Sequence, residues 1–458
     1  MHTHHLRWRA LRAGVLTALM AGSTAGLAQG AASAVPQRAT TLAELFRMVA
    51  VQPEVAAAEA RARAAQGSRT TARLIGNPML EYRVENASKG SLAPMLEREA
   101  MATATLPLDG LYQWWPRAGR ADADVRAAQS DAAAVRQRVL VDAARAYHRL
   151  GTAQIGVAVN RDLLAWLDTL LAYNRARVRE GAAAESDLIR SEIERGRAGA
   201  ALALTEAELA RARADLAQFV PDAFTRQSAL VAVVPDRPME LPAAPGPVSQ
   251  LARFGETQSD DQMIADALRA NPAVRAARER ESSAAAGLNV ERLSFVRRAD
   301  ATVGTKYVGG ATSFVVGASL PFPLFDQNRG EVARASADRD VMRQELLGAE
   351  RRVRADVVAA RDAAIALSRS ATELAAPAAG GTPRFLRQAD EVRRIALGAY
   401  REGATPLMQL LDAARAWGEA QMAFAQLMAA QRDSVLSLLA SLGIDLSSTP
   451  LPLDGTSR

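Results

Sequence analysis

Residues Ser313–Ala335 read SFVVGASLPFPLFDQNRGEVARA. Three signals follow one another in this stretch. Phe314, Val316, Ala318 and Leu320 alternate with Ser313, Val315, Gly317 and Ser319, the period of a strand with unlike faces. Pro321 and Pro323 then withhold two N–H donors and end the ladder. From Asn328 an Ala/Arg-rich pattern of helical period begins and runs on. A weaker copy, Met101–Val125 (MATATLPLDGLYQWWPRAGRADADV), places Pro107 at the position of Pro323, 216 residues upstream.

Outward from this junction the chain reads as two copies of one plan. Leu80, Tyr82 and Val84 alternate with Glu81, Arg83 and Glu85. After a loop at Asn86–Glu97, Ala100, Ala102, Ala104 and Leu106 alternate with Met101, Thr103 and Thr105, which predicts a β-hairpin over 78–107. Ala301, Val303 and Tyr307 alternate with Asp300, Thr302 and Lys306, and Gly309-Gly310 turns the chain, which predicts a second hairpin over 298–321. Each hairpin is followed by a long helical pattern, 117–180 and 328–402, the second eased by Ala376–Pro383. Each long helix ends at a Gly-marked turn, Gly181 and Gly403, and a return helix follows over 188–219 and 406–442. In the last of these, positions 407, 410, 414, 417, 421, 424, 428, 431, 435, 438 and 442 keep a 3–4 spacing, which argues coiled-coil packing. A first helix is expected from a cap at Thr40–Thr41 to about Leu74, and its counterpart to about Val296. Pro53 and Pro272 lie 219 residues apart, and Gly181 and Gly403 lie 222 apart, so the landmarks keep near-constant offsets, as an internal duplication requires. The copies span 35–220 and 260–442, joined by a Pro-rich connector over 221–259 with a strand candidate at Leu230–Val234, and a tail follows over 443–458.

Composition narrows the chemistry. Among 458 residues 49% are apolar but only 5% aromatic, with alanine dominant, which suits long, thinly packed helices. The absence of cysteine excludes disulfides, thiolate metal sites and a cysteine nucleophile. The net charge of +6 is spread as Arg and Asp/Glu over helical faces without a dense basic block, so nucleic acid is not an expected partner. Arg7, Arg9 and Arg12 before the apolar run Ala13–Ala28 read as a secretory leader over 1–34, with cleavage after Ala28 or Ala34. His148 stands without a second His or Cys at ligand spacing and is expected to pack or face solvent. No catalytic, cofactor or metal site is expected, and the chain is not read as an enzyme.

Four one-sided strands of about 8 to 10 residues suit a tilted crossing of a bilayer. Backbone groups in lipid must all be paired, so such strands need a closed barrel, and four cannot close one. Several chains would have to pool their strands, with the long helices forming a tube below. Periodicity alone also admits a soluble α+β protein whose two hairpins share one small sheet.

LPFPLFDQNRGEVARA (Leu320–Ala335) and YREGATPLMQLLDAARAWGEAQ (Tyr400–Gln421), with the weaker LPLDG (Leu106–Gly110) and VREGAAAESDLIRSE (Val178–Glu192), resemble the TolC-like outer membrane factors. The wording FPLFDQNRGE is similar to the cobalt-zinc-cadmium and copper-silver branch. The resemblance implies a mainly α protein with a β-barrel part: a homotrimer pooling twelve transmembrane strands above a coiled-coil helical tunnel. It implies a passive conduit in the outer membrane of a Gram-negative bacterium. The implied partners are outer membrane lipid, a periplasmic adaptor and an inner-membrane efflux pump of RND type, and the implied cargo is heavy-metal cations. Organic compounds or secreted protein are the alternative cargo, and a non-pore periplasmic coiled-coil protein is the alternative of another class. By the same resemblance Gly181, Ser186, Gly403 and Thr405 would meet the adaptor at the helix tips. Asp412, Gln409 and Asp187 would border the periplasmic aperture. Asp187 matches a tip aspartate that helps hold the closed state, Gln409 stands where a second acid is common, and Thr405 where a basic tip partner can occur. A ring of three Asp412 side chains would bias the pore toward cations.

Overall fold

The computed structural model describes residues 37–85, 98–108, 112–222, 229–233, 239, 260–294, 299–320, 324–377 and 382–446. The expected leader, the loop Asn86–Glu97, Pro321 and Pro323, most of the connector and the tail beyond 446 lie outside the described residues.

The first repeat runs β1 (Gln37–Thr40), α1 (Leu42–Val49), α2 (Pro53–Ala72), β2 (Met79–Glu85), β3 (Glu99–Pro107), α3 (Trp114–Arg179) and α4 (Glu185–Ala217). The short strand β4 (Ala229–Ala232) follows. The second repeat runs α5 (Asp260–Ala270), α6 (Pro272–Leu293), β5 (Asp300–Val308), β6 (Ala311–Ser319), α7 (Arg329–Leu374), α8 (Arg384–Arg401) and α9 (Leu407–Ser441). At 66 residues α3 is about 99 Å long.

The single helix expected over Leu42–Leu74 is two. Thr41 caps α1 through a reciprocal box: its Oγ1 accepts from Glu44 N–H, and Glu44 Oε2 accepts from Thr41 N–H, both at 3.2 Å. The helix stops at Ala50 because Pro53 pushes Gln52 to extended geometry (φ −61°, ψ 140°) and restarts the helix at its own first position. The second repeat breaks alike at Asn271-Pro272, where Asn271 Oδ1 accepts from Ala273 N–H (2.9 Å). The long pattern over 328–402 is also interrupted. It is α7 and α8, with Pro377 and Pro383 bridged between them and Arg384 N–H donating to Ala376 O (3.0 Å).

The two hairpins merge into one antiparallel sheet of order β2-β3-β5-β6. Register places Leu80, Ala104, Val303 and Val316 in one row and Tyr82, Ala102, Thr305 and Phe314 in the next, all on one face. The other face carries Glu81, Arg83, Glu99, Thr105, Thr302 and Lys306. Its members pair with one another: Lys306 Nζ lies 2.6 Å from Glu99, and the hydroxyls of Thr105 and Thr302 lie 3.0 Å apart. Among the described residues nothing covers the apolar face: Leu80, Phe314 and Val316 are 80%, 75% and 79% exposed.

The unforeseen β1 pairs in parallel with β4, which covers most of the strand candidate Leu230–Val234. Both are fastened to α3 by Tyr147, whose hydroxyl lies 2.8 Å from Thr40 O and Val233 O and accepts from Val233 N–H (2.9 Å). Here lies the main core, where α1 and the end of α9 pack on α3 through Leu45, Val49, Leu140, Leu150, Leu436 and Leu439, and α5 packs on α6 and α7. Of the heptad positions in α9 all but Gln421 are buried. Gln431, buried within that seam, accepts from Met239 N–H (3.0 Å) and donates to Met239 O (2.9 Å), so a connector residue is held as if by a strand partner.

Candidate functional site

Two ends of the molecule carry the residues singled out in the sequence. At one end the chain reverses twice. Gly181 (φ +69°) and Gly403 (φ +76°) both adopt the left-handed conformation that ends a helix. At the first turn Gly181 N–H donates to Val178 O (3.0 Å) and Ala182 N–H to Arg177 O (2.8 Å). At the second, Gly403 N–H donates to Tyr400 O (3.1 Å) and Ala404 N–H to Ala399 O (2.8 Å). These are matching Schellman caps, so the two turns share one local chemistry.

The turns lie together at one end of the molecule. Tyr400 of α8 donates to Asn174 Oδ1 of α3 (2.7 Å), and Asn174 Nδ2 donates to Ser191 Oγ of α4 (2.8 Å). Ser191 Oγ donates in turn to Asp187 O (2.8 Å). Asn174 and Tyr400 are buried, and this polar chain ties both repeats at their tips. Burial holds the Tyr400 phenol above its ordinary pKa, opposed by the Arg177 guanidinium, which stacks 5.7 Å from the ring centroid. A small apolar cluster of Leu167, Leu170, Leu407, Leu410 and Leu411 packs beside it.

Of the expected tip residues, Gly181, Ser186 and Gly403 are exposed, while the Thr405 hydroxyl is buried without a hydrogen-bond partner among the described residues. Asp187 opens α4 half-buried. On α9 Gln409 and Asp412 are exposed, and Asp412 is salt-bridged to Arg415 (3.1 Å). Sequence reasoning passed over Arg415, Asn174 and Ser191. Nothing in their spacing marks them, because their partners sit on other helices. Arg415, Ser191 and Tyr400 all lie within the quoted motifs, but the motifs assign none of them a role.

At the other end lies the strand-to-helix junction. Pro107 closes β3 opposite Asp300, and Leu108 N–H donates to Ala299 O (2.7 Å). Trp114 donates from its indole to Arg73 O (2.9 Å) and meets Trp115 edge-on, while Trp115 is 74% exposed. In the second repeat Asn328 starts α7 from a left-handed conformation (φ 58°). Its N–H donates to Asp326 Oδ1 (3.0 Å), and its Nδ2 donates to Glu291 O (2.7 Å). A short polar side chain at that point thus anchors the new helix to α6. Leu324 and Phe325, just before it, are exposed.

His148 is buried, and its Nδ1 lies 2.5 Å from Asp433 Oδ1, so it joins α3 to α9 rather than facing solvent. Among the described residues no group of His, Asp and Glu is placed to hold a metal ion. Among them, too, no helix is long and apolar enough to cross a membrane.

No family model matches the chain. Two curated proteins are similar to it. Protein CyaE of Bordetella pertussis is 28% identical over 347 residues, spanning 71% of this chain and 68% of that protein. The nickel-cobalt-cadmium resistance protein NccC of Alcaligenes xylosoxydans xylosoxydans is 26% identical over 327 residues, spanning 69% and 70%. Among solved structures, the CmeC outer membrane channel of Campylobacter jejuni superposes with a TM-score of 0.70 over 88% of this chain and 85% of its own, at 14% identity. The chain thus has the fold of solved outer membrane channels, and the resemblance read in its motifs is matched by its architecture.

Proposed function

We propose that this protein is the outer membrane channel of a tripartite efflux system, a passive conduit from an inner-membrane pump and periplasmic adaptor to the cell exterior. One observation carries the reading: the four-stranded sheet has a bare apolar face and a face of paired charges and hydroxyls, and it is joined to helices up to about 99 Å long. A face such as Leu80, Tyr82, Phe314 and Val316 suits lipid, and one such as Glu81, Arg83 and Lys306 suits a water-filled lumen. Within the chain β2 and β6 each pair on one side, so three copies joining β2 to β6 would close twelve strands. Pro107, Pro321 and Pro323 would mark the membrane boundary. The shared glycine tips, with Ser186 and Thr405, would meet the adaptor, and Asp412, Gln409 and Asp187 would border the aperture.

Heavy-metal cations are the cargo this reading favours, supported by the FDQNRGE wording and by the likeness to a metal-resistance protein. Fractionation tests the conduit: a heat-modifiable trimer in the outer membrane is expected, and a soluble rod would refute it. Deletion in the native host tests the cargo: sensitivity to nickel, cobalt, zinc or cadmium is expected. Unchanged metal tolerance with lost export of an organic compound or a protein would reassign it.

A further inference from the structure

The carboxylate of Asp412 is not left alone. Arg415, one turn further along α9, donates from Nη1 to Asp412 Oδ1 (3.1 Å). The same guanidinium reaches across to α4, with Nη2 2.5 Å from Glu194 Oε1 and Nε donating to Glu194 Oε2 (3.3 Å). Glu194 also accepts from Arg197 (2.9 Å). A two-point contact fixes the plane of a guanidinium as a single contact does not. The Glu194 side chain is 14% exposed and that of Asp412 62%, so Arg415 is anchored at its buried end and offers an Nη1 N–H to the acid on the solvent side. With two acids, Glu194 and Asp412, and two bases, Arg197 and Arg415, the cluster is neutral in each protomer.

We propose that Arg415 sets the ion selectivity of the channel: held in place by Glu194, it cancels the charge of Asp412, so that cation preference follows the pairing rather than the acid alone. This rests on the reading that Asp412 borders the aperture. Three bare carboxylates would draw cations strongly and repel one another, whereas three paired ones select weakly and sit together without that repulsion. Glu194 sets the balance from behind, because neutralising it leaves Arg415 in surplus.

Reversal potentials of the full-length protein in planar bilayers under a KCl gradient test this, with trimer retention on unheated gels checked for each variant. Arg415→Gln is expected to raise the cation-over-anion permeability ratio about threefold, the order expected for one charge a few Å from the ion path in water. Glu194→Gln and Asp412→Asn are expected to lower it by a similar factor. Arg415→Lys, which keeps the charge, is expected to stay near wild type. A salt bridge that serves only to hold α4 to α9 would be broken equally by Arg415→Gln and Glu194→Gln, so shifts in the same direction overturn the proposal. If Asp412→Asn moves the ratio and Arg415→Gln does not, the proposal fails while the aperture stands. If neither moves it, or the wild-type protein forms no channel, the reading beneath the proposal fails and the proposal with it.

Discussion

The two repeats reach the same tip by different routes. The first crosses from sheet to turn in one 66-residue helix, α3, and the second needs two helices of 46 and 18 residues, α7 and α8. The segment of α3 that lies 219 residues upstream of Ala376–Pro383 is Val157–Leu164, which holds no proline and buries Val157 and Val159. In the second repeat Pro377 and Pro383 pair in an isolated bridge, and Phe385 and Leu386 then pack with Phe424 and Met428 beside the break. The repeats agree where the chain must reverse or restart: glycine at the two tips and proline at the first position of α2 and α6. They differ along the rod, where any sequence that keeps an apolar seam will serve. Duplication therefore preserved the backbone constraints and left the shafts free to diverge.

The most severe way to break this comparison is to give the first repeat the interruption of the second. Val157→Pro removes an intrahelical hydrogen bond and drives its ring against the carbonyl of Ala153, and should cost about 3 kcal/mol or more. The check is the thermal unfolding temperature followed by circular dichroism, expected to fall markedly; an unchanged temperature would show that the first shaft tolerates a break too.

A milder change sharpens the likeness of the tips. A Cβ at Gly181 or Gly403 would meet no atom within 4 Å, so Gly181→Ala and Gly403→Ala should cost only the left-handed conformation, about 1–2 kcal/mol each. Amide exchange at Ala182 and Ala404 should quicken to the same degree in the two variants. A tenfold difference between them would mean that the shared capping geometry does not govern both tips.

The smallest effect concerns how each repeat fastens its shaft to the preceding helix. In the first, Asp122 of α3 accepts from Arg69 (2.5 Å) and Arg73 (3.0 Å), and the Arg69 hydrogen bond leads in holding its carboxyl below the ordinary value of 3.8, with burial opposing. A depressed carboxylate lends stability that is full above its unfolded value and is lost as pH falls through the folded one, here in the acid range below about 4. In the second repeat the bridge from Arg339 to Glu281 is longer, 3.5 Å. Protection of the α2 amides, with exchange corrected for its intrinsic pH dependence, should therefore fall as pH is lowered from 5 to 3, and Asp122→Asn should abolish that fall. A variant that kept it would assign the acid response elsewhere.

Much of this was legible in the chain because it depends on neighbours a few residues apart. The alternation at Phe314–Leu320 gave strand faces that the register bears out, and the 3–4 spacing from Leu407 to Leu442 gave the buried seam of α9. The break at Ala50–Gln52 was missed although Pro53 marked it, because the apolar period of Leu42–Val49 was carried across it. Arg415 was missed for a different reason. As one of many arginines on helical faces, it gains meaning only when α4 brings Glu194 beside it.

By itself the sequence determined the duplication, the strand-to-helix junctions, the two-faced strands and the reversals at Gly181 and Gly403, since each follows from local period or from one residue's allowed backbone angles. Only the tertiary structure decided that the hairpins share one sheet through β3 and β5, that β1 and β4 meet on Tyr147, and that Tyr400 joins Asn174 across 226 residues. Periodicity names the face that must be covered or wetted but not the partner that meets it. The partner is chosen by packing among distant segments, which no local pattern records.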